Sequence, residues 1–159
     1  MTVDMYQIVQ ANYAQWKPEI SESAVNEFIS QISGVHEQAE LSKGYIWRYV
    51  DDPDPKYIDR LFGMNGLVFN MSVWESIEDL KAFTFKNLHN EVMRERAKWF
   101  VNLPFTTSIM WWVKQGHIPT AEEAQKKFEQ IEAEGPSYEV FTFAKLFYPG
   151  GSEGRNIPE

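Results

Sequence analysis

The sequence predicts one α+β domain of ferredoxin-like topology with an appended helix and strand, and three observations carry that expectation. Residues 67–80, LVFNMSVWESIEDL, alternate Leu67, Phe69, Met71 and Val73 with Val68, Asn70, Ser72 and Trp74, the period of two of a strand, and then turn into a helix headed by Ser76 and Asp79. Val25, Phe28, Ile29, Ile32, Val35 and Ala39 recur at three- and four-residue intervals, the stripe of a helix with one buried face. The elements fall in the order βαββαβ followed by αβ, within 159 residues, a length for one sizeable core.

The first strand is read over residues 5–13, ended by Pro18, and the first helix opens at Ser21 or Ser23. Gly44 starts a second strand, GYIWRYV, and the acidic, Pro-containing residues 51–66 read as a loop long enough to act as a lid. The third strand and the Ser76 helix follow, with residues 87–101 continuing helically through Leu88, Val92, Met93, Ala97, Trp99 and Phe100 until Pro104. Residues 106–114 form the fourth strand. Pro119, Thr120 and Glu123 start a capped helix that runs to Gly135 and Pro136, and residues 139–147 form a last strand. The domain spans residues 1–148, and the Gly-rich tail 149–159 is expected to be disordered.

A formal charge of −8 offers no clustered Lys and Arg for phosphate backbones or anionic lipid, so neither nucleic acid nor membrane is an expected partner. With no Cys, disulfides, thiolate nucleophiles and Cys-rich metal sites are excluded together, and no apolar run approaches the roughly 20 residues that span a bilayer. No basic start with an apolar core opens the chain, and the expected location is the cytoplasm. His36, His89 and His117 are scattered without metal-ligand spacing, so no metal and no cofactor are expected. Ser72 and Ser76 lack a glycine-flanked elbow, and Gly63 and Gly66 lack the lysine of a phosphate loop.

His89 is the acid or base candidate, in a predicted helical turn with Met93, Arg96 and Phe100 on one stripe, so that Arg96 could clamp an anionic substrate. Its bland alternative is an imidazole satisfied by a backbone carbonyl. His117, in the Gly116-His117-Ile118-Pro119 connection, either binds ligand or holds the loop, and His36 is expected on the surface. Asn12, Arg48, Asn70 and Ser72 are polar residues within strands, where burial without partners costs about 1–3 kcal/mol each. With Trp74, Trp112 and Met110 they are expected on the sheet face not covered by helices, either as a pocket or as a subunit contact, while Trp47 and Trp111 go to the helix-covered core. An aromatic sheet face of that kind predicts a homodimer stacked sheet on sheet.

The combination of NMSVWES, His89, Arg94, Arg96, Trp99-Phe100, WWV at 111–113, Gly116-His117, Pro119-Thr120 and GPS at 135–137 resembles a prokaryotic family described as a domain of unknown function, over roughly residues 5–148. That family is similar to the dimeric α+β barrel superfamily, which includes antibiotic-biosynthesis monooxygenases, haem-degrading monooxygenases and non-catalytic members. Ser72-Val73-Trp74-Glu75-Ser76 and Asn12 look similar to haem-degrading members, but their cavity Trp falls on Phe83 and their haem-ligating His on Met93. The resemblance implies a small-molecule-binding protein acting on an aromatic or polycyclic substrate, in the manner of a cofactor-independent monooxygenase. The alternatives are a non-catalytic binding or assembly module and, third, haem-linked oxidation.

Overall fold

The computed structural model describes residues 5–50, 52–87 and 95–149. Strand β1 (Tyr6–Gln15) leads through α1 (Glu22–Glu40) to β2 (Tyr45–Arg48), α2 (Tyr57–Phe62), β3 (Leu67–Trp74), α3 (Ile77–Asn87), α4 (Arg96–Trp99), β4 (Ser108–Lys114) and α5 (Ala121–Glu134). The four strands make one antiparallel sheet in the order β2-β3-β1-β4, the ferredoxin-like arrangement. Asn12 stands opposite Asn70 on β3 and opposite Ser108 on β4, and Ile8 stands opposite Trp74 and Trp112, so even-numbered residues of all three strands share one face.

The helices start where capping chemistry places them. Ser21 Oγ accepts from Ala24 N, Ser76 Oγ from Asp79 N and Thr120 Oγ1 from Glu123 N, at 3.0–3.1 Å. Gly44, at φ +85°, turns the chain into β2 with its carbonyl accepting from Glu75 N at 2.8 Å; a β-carbon there would collide with the Asp79 side chain.

Both faces of the sheet carry helices of the same chain. The odd face, with Val9, Ala11, Tyr13, Phe69, Met71, Val73, Ile109 and Trp111, packs against Ala121, Ala124, Phe128 and Ile131 of α5 and against Tyr57, Ile58, Leu61 and Phe62 of α2. On the even face, Ile8, Trp74 and Trp112 lie under Ala39 of α1, Ile77 and Leu80 of α3, and Phe141 and Phe147. At the other end of that face Ala14, Trp16 and Val68 meet Phe28 of α1 and Trp99 and Phe100. Trp47 and Trp111 thus join a helix-covered core as expected, but Asn70 and Trp74 also lie beneath helices, which corrects the expectation of a bare even face. The reason is that α1 and α3 pack on the even face, while α2 and the appended α5 cover the more apolar odd one.

Two further expectations are corrected. Residues 52–66, expected as a loop, hold helix α2, closed by Gly63 in a left-handed C-cap, and its half-buried apolar residues pack against the core. The last segment forms no strand among the described residues: Phe141 exchanges two backbone hydrogen bonds with Met110, and turns closed at Ser137–Val140 and Thr142–Lys145 flank it. Of the helix expected over residues 87–101, the part 88–94 lies outside the described residues, and α4 is the remainder.

Candidate functional site

Between the two apolar clusters on the even face runs a polar band. In the register, Arg48, Ser72, Gln10 and Met110 form one row across the sheet, and Asn70, Asn12 and Ser108 the next. Polar side chains under helices must find partners or carry a desolvation cost, and here they find one another. His36 Nε2, on α1, meets Asn70 Oδ1 at 3.3 Å; Asn70 Nδ2 donates to Asn12 Oδ1 at 3.4 Å; Asn12 Nδ2 donates to Gln10 Oε1 at 3.1 Å; and Gln10 Nε2 donates to Ser108 Oγ at 3.0 Å. Because a carboxamide oxygen only accepts, His36 Nε2 carries the proton, and all four bonds point from the helix toward Ser108. Such a head-to-tail chain polarises along its length.

The chain leaves a surplus of donors. Among the described residues each of the three carboxamides uses one of its two N–H groups, the Ser108 hydroxyl accepts and still has its proton to give, and so has Ser72, whose Oγ accepts from Trp74 Nε1 at 2.9 Å. Asn12, Asn70, Ser72, Gln10 and His36 are all half-buried, flanked by ring systems on both sides. Among the described residues two buried polar atoms have no hydrogen-bond partner: Gln31 Oε1 on α1, and Trp99 Nε1 at the Phe28 end of this face, where the Phe28 and Trp99 rings meet at 5.3 Å. Orphaned groups of this kind are uncommon in native interiors.

The structure brings some expected site residues together and separates others. Asn12, Asn70 and Ser72 share the band, with Trp74 at its border, stacked on Phe83 at 5.1 Å and edge-on to Tyr45. Arg48 is held at the rim of the same face by Glu40, at 2.9 Å. Trp112 lies deep under the C-terminal segment, its Nε1 donating to Phe147 O at 2.7 Å, and so closes the core where pocket lining was expected. Arg96 is exposed, its guanidinium over the Phe100 ring at 6.0 Å. His89 and Met93 lie outside the described residues. His36, expected on the surface, is half-buried against the sheet; its spacing of four and eight residues from Ile32 and Phe28 places it on the buried stripe and could have found it. Gln10 and Ser108 went unnoticed because each looks ordinary until the register aligns it with Asn12.

His117 belongs to a different place, on the odd side. Its Nε2 lies 2.8 Å from Glu123 Oε1, and Glu123 Oε2 accepts from the buried Trp111 Nε1 at 2.9 Å, so Glu123 ties the loop to the core and His117 serves that loop. Among the described residues no group of three or more His, Cys, Asp or Glu could hold a metal, and no helix is long and apolar enough to cross a membrane. The cavities among the described residues include one of about 520 Å³ beside residues 17–21 and Lys98, and one of about 360 Å³ between Tyr13, Ala14, Arg96 and Thr107.

Residues 7–156 match the family described as "Domain of unknown function (DUF3291)", and the chain belongs to that family. None of the curated proteins matches it. Among solved structures it is similar to a conserved protein from Methanosarcina mazei Go1, with 13% identity over 70% of this chain and 95% of that one and a TM-score of 0.45. A protein of unknown function from Nitrosomonas europaea shares 12% identity over 74% of this chain and 96% of its own, TM-score 0.42. An uncharacterized NIPSNAP-like domain protein from Burkholderia xenovorans shares 13% over 72% and 90%, TM-score 0.41.

Proposed function

We propose that this family member binds a small aromatic or polycyclic organic molecule over the polar band, with Asn12, Asn70, Gln10, Ser72 and Ser108 holding its oxygen atoms. The observation that carries the reading is the donor surplus of an uncharged carboxamide chain set between two aromatic clusters. Uncharged donors suit a carbonyl, or a phenolate or enolate whose charge is spread over rings, better than a compact dianion, which draws Arg and Lys. Pockets for organic ligands combine apolar walls with a few convergent polar groups, as this face does.

The enzymatic form of the proposal is cofactor-independent monooxygenation. A bound phenol or enol loses its proton to water or to an imidazole, and the carboxamide N–H groups stabilise the oxyanion. The electron-rich substrate itself then reduces oxygen. In the balanced reaction a ring CH2 becomes C=O, one atom of O2 stays in the product, and the other leaves as water with the two hydrogens lost from carbon. The imidazole in that role is His89, as the sequence suggested, while His36 Nε2, already donating to Asn70, orients that carboxamide.

The test is titration of the protein with a hydroxyanthraquinone, followed by the side-chain amide resonances of Asn12, Asn70 and Gln10, together with oxygen uptake on the corresponding anthrone. Saturable shifts of those three amides that Asn70→Ala weakens support binding, and anthrone-dependent uptake insensitive to chelators supports catalysis. Shifts confined to other parts of the chain reject the site. Binding without uptake leaves the non-catalytic binding module as the function.

A further inference from the structure

The edge of β1 facing β4 is paired twice and left open between. Tyr13 N donates to Thr107 O at 3.0 Å, and Val101 N donates to Gln15 O at 2.9 Å, while residues 102–106 leave the sheet between these two bonds. The cavity of about 360 Å³ fills that gap, lined by Tyr13, Ala14, Arg96, Phe100, Leu103 and Thr107 among others. Its volume lies within the range of organic ligand sites, and its walls combine the apolar side chains of Phe100, Val101 and Leu103 with nearly as much polar surface.

One charge stands in it. Among the described residues no carboxylate pairs with Arg96, in contrast to Arg48, Arg60 and Lys98, each of which has an acidic partner. Such a guanidinium over an aromatic ring, lining this space, offers two parallel N–H donors to a carboxylate and a flat surface to whatever carries it.

We infer that this gap is a second binding site, distinct from the polar band, for an organic carboxylate with a flat apolar body. The carboxylate sits on Arg96, and the body lies against Phe100 and Leu103 over the open β1 edge. A single guanidinium matches one negative charge, whereas inorganic phosphate brings a second charge and no apolar surface to use these walls.

The test is titration of the full chain, labelled with nitrogen-15, with benzoate, benzamide and inorganic phosphate in parallel. Benzoate is expected to shift the backbone amides of Ala14, Val101 and Thr107 saturably at millimolar concentration, leaving the Asn12 and Asn70 side chains still. Arg96→Gln weakens it about tenfold or more, the scale of a charge-assisted pair. Ala97→Phe, which fills the cavity from an exposed position with Arg96 intact, abolishes the shifts. Benzamide and phosphate bind at least about tenfold more weakly than benzoate. The inference is overturned by the absence of a saturable shift at these amides, by equal benzoate affinity in Arg96→Gln, or by benzamide or phosphate binding as tightly as benzoate.

Discussion

Removing Asn70 probes the polar band where it crosses from helix to sheet. Asn70→Ala deletes the contacts at 3.3 Å to His36 and 3.4 Å to Asn12, both long, so each contributes at the low end for a hydrogen bond, about 0.5 kcal/mol. It also strands the half-buried Asn12 Oδ1, which adds part of a desolvation penalty and brings the expected loss to about 1–2 kcal/mol. In a chain of this size that lowers Tm by about 2–8 °C. Asn12→Val combined with Asn70→Val removes the central pair together, and β-branched groups then bridge the two apolar clusters across adjacent strands. The double variant is therefore expected within about 1 kcal/mol of wild type, well short of the sum of its single substitutions. Urea denaturation of wild type, Asn12→Val, Asn70→Val and the double variant reads the coupling. Single substitutions without cost, or a double variant that loses the full sum, would refute a network resting on mutual satisfaction.

Other consequences follow from particular contacts. Gly44→Ala adds a left-handed backbone penalty to a collision with Asp79, and a loss of about 2 kcal/mol or more is expected in urea unfolding; a neutral outcome contradicts the close approach. Glu123→Ala leaves the buried Trp111 Nε1 without an acceptor and costs about 1–3 kcal/mol, whereas His117→Ala, at an exposed pair, costs less than about 1, a contrast that thermal melts resolve. Burial holds the phenols of Tyr13, Tyr45 and Tyr148 above 10.0, with the Glu132, Glu40 and Glu78 carboxylates reinforcing it. Each phenol stabilises the fold fully below pH 10.0 and loses that contribution as pH rises through its folded value. Burial holds Lys127 below 10.5, which acts in the opposite sense, since its cost fades as pH rises toward 10.5. Lys98, which its hydrogen bond and charge pairing with Glu27 hold above 10.5, acts in the same sense as the phenols, so a net fall in stability is expected above pH 10, and Tyr13→Phe is expected to flatten it in urea midpoints taken across that range.

Local chemistry made most of the fold readable. Ser21, Ser76 and Thr120 each cap the helix that the sequence placed behind them, and the alternation of Leu67, Phe69, Met71 and Val73 appears as β3. The assignment of faces was not readable in this way. Alternation separates two faces of a strand but does not say which helices cover which, and the more apolar face suggested the main helices when it is α2 and α5 that bury it. Tyr57, Ile58, Leu61 and Phe62 carry a helical spacing that the neighbouring Asp and Pro residues obscured. Residues 139–147 alternate as a strand would, yet only Phe141 reaches the β4 edge, because turns on either side take the backbone away from it. Within the site, Asn12 and Asn70 were legible as polar residues out of place in a strand. Gln10 and Ser108 became visible only through register, a long-range property.

Native mass spectrometry after incubation with a hydroxyanthraquinone tests the central claim, a ligand held by the carboxamide chain on the even face, most directly. Wild type is expected to retain one molecule per chain and the folded Asn12→Val, Asn70→Val variant none. Equal retention by both proteins, or none by wild type, would contradict it.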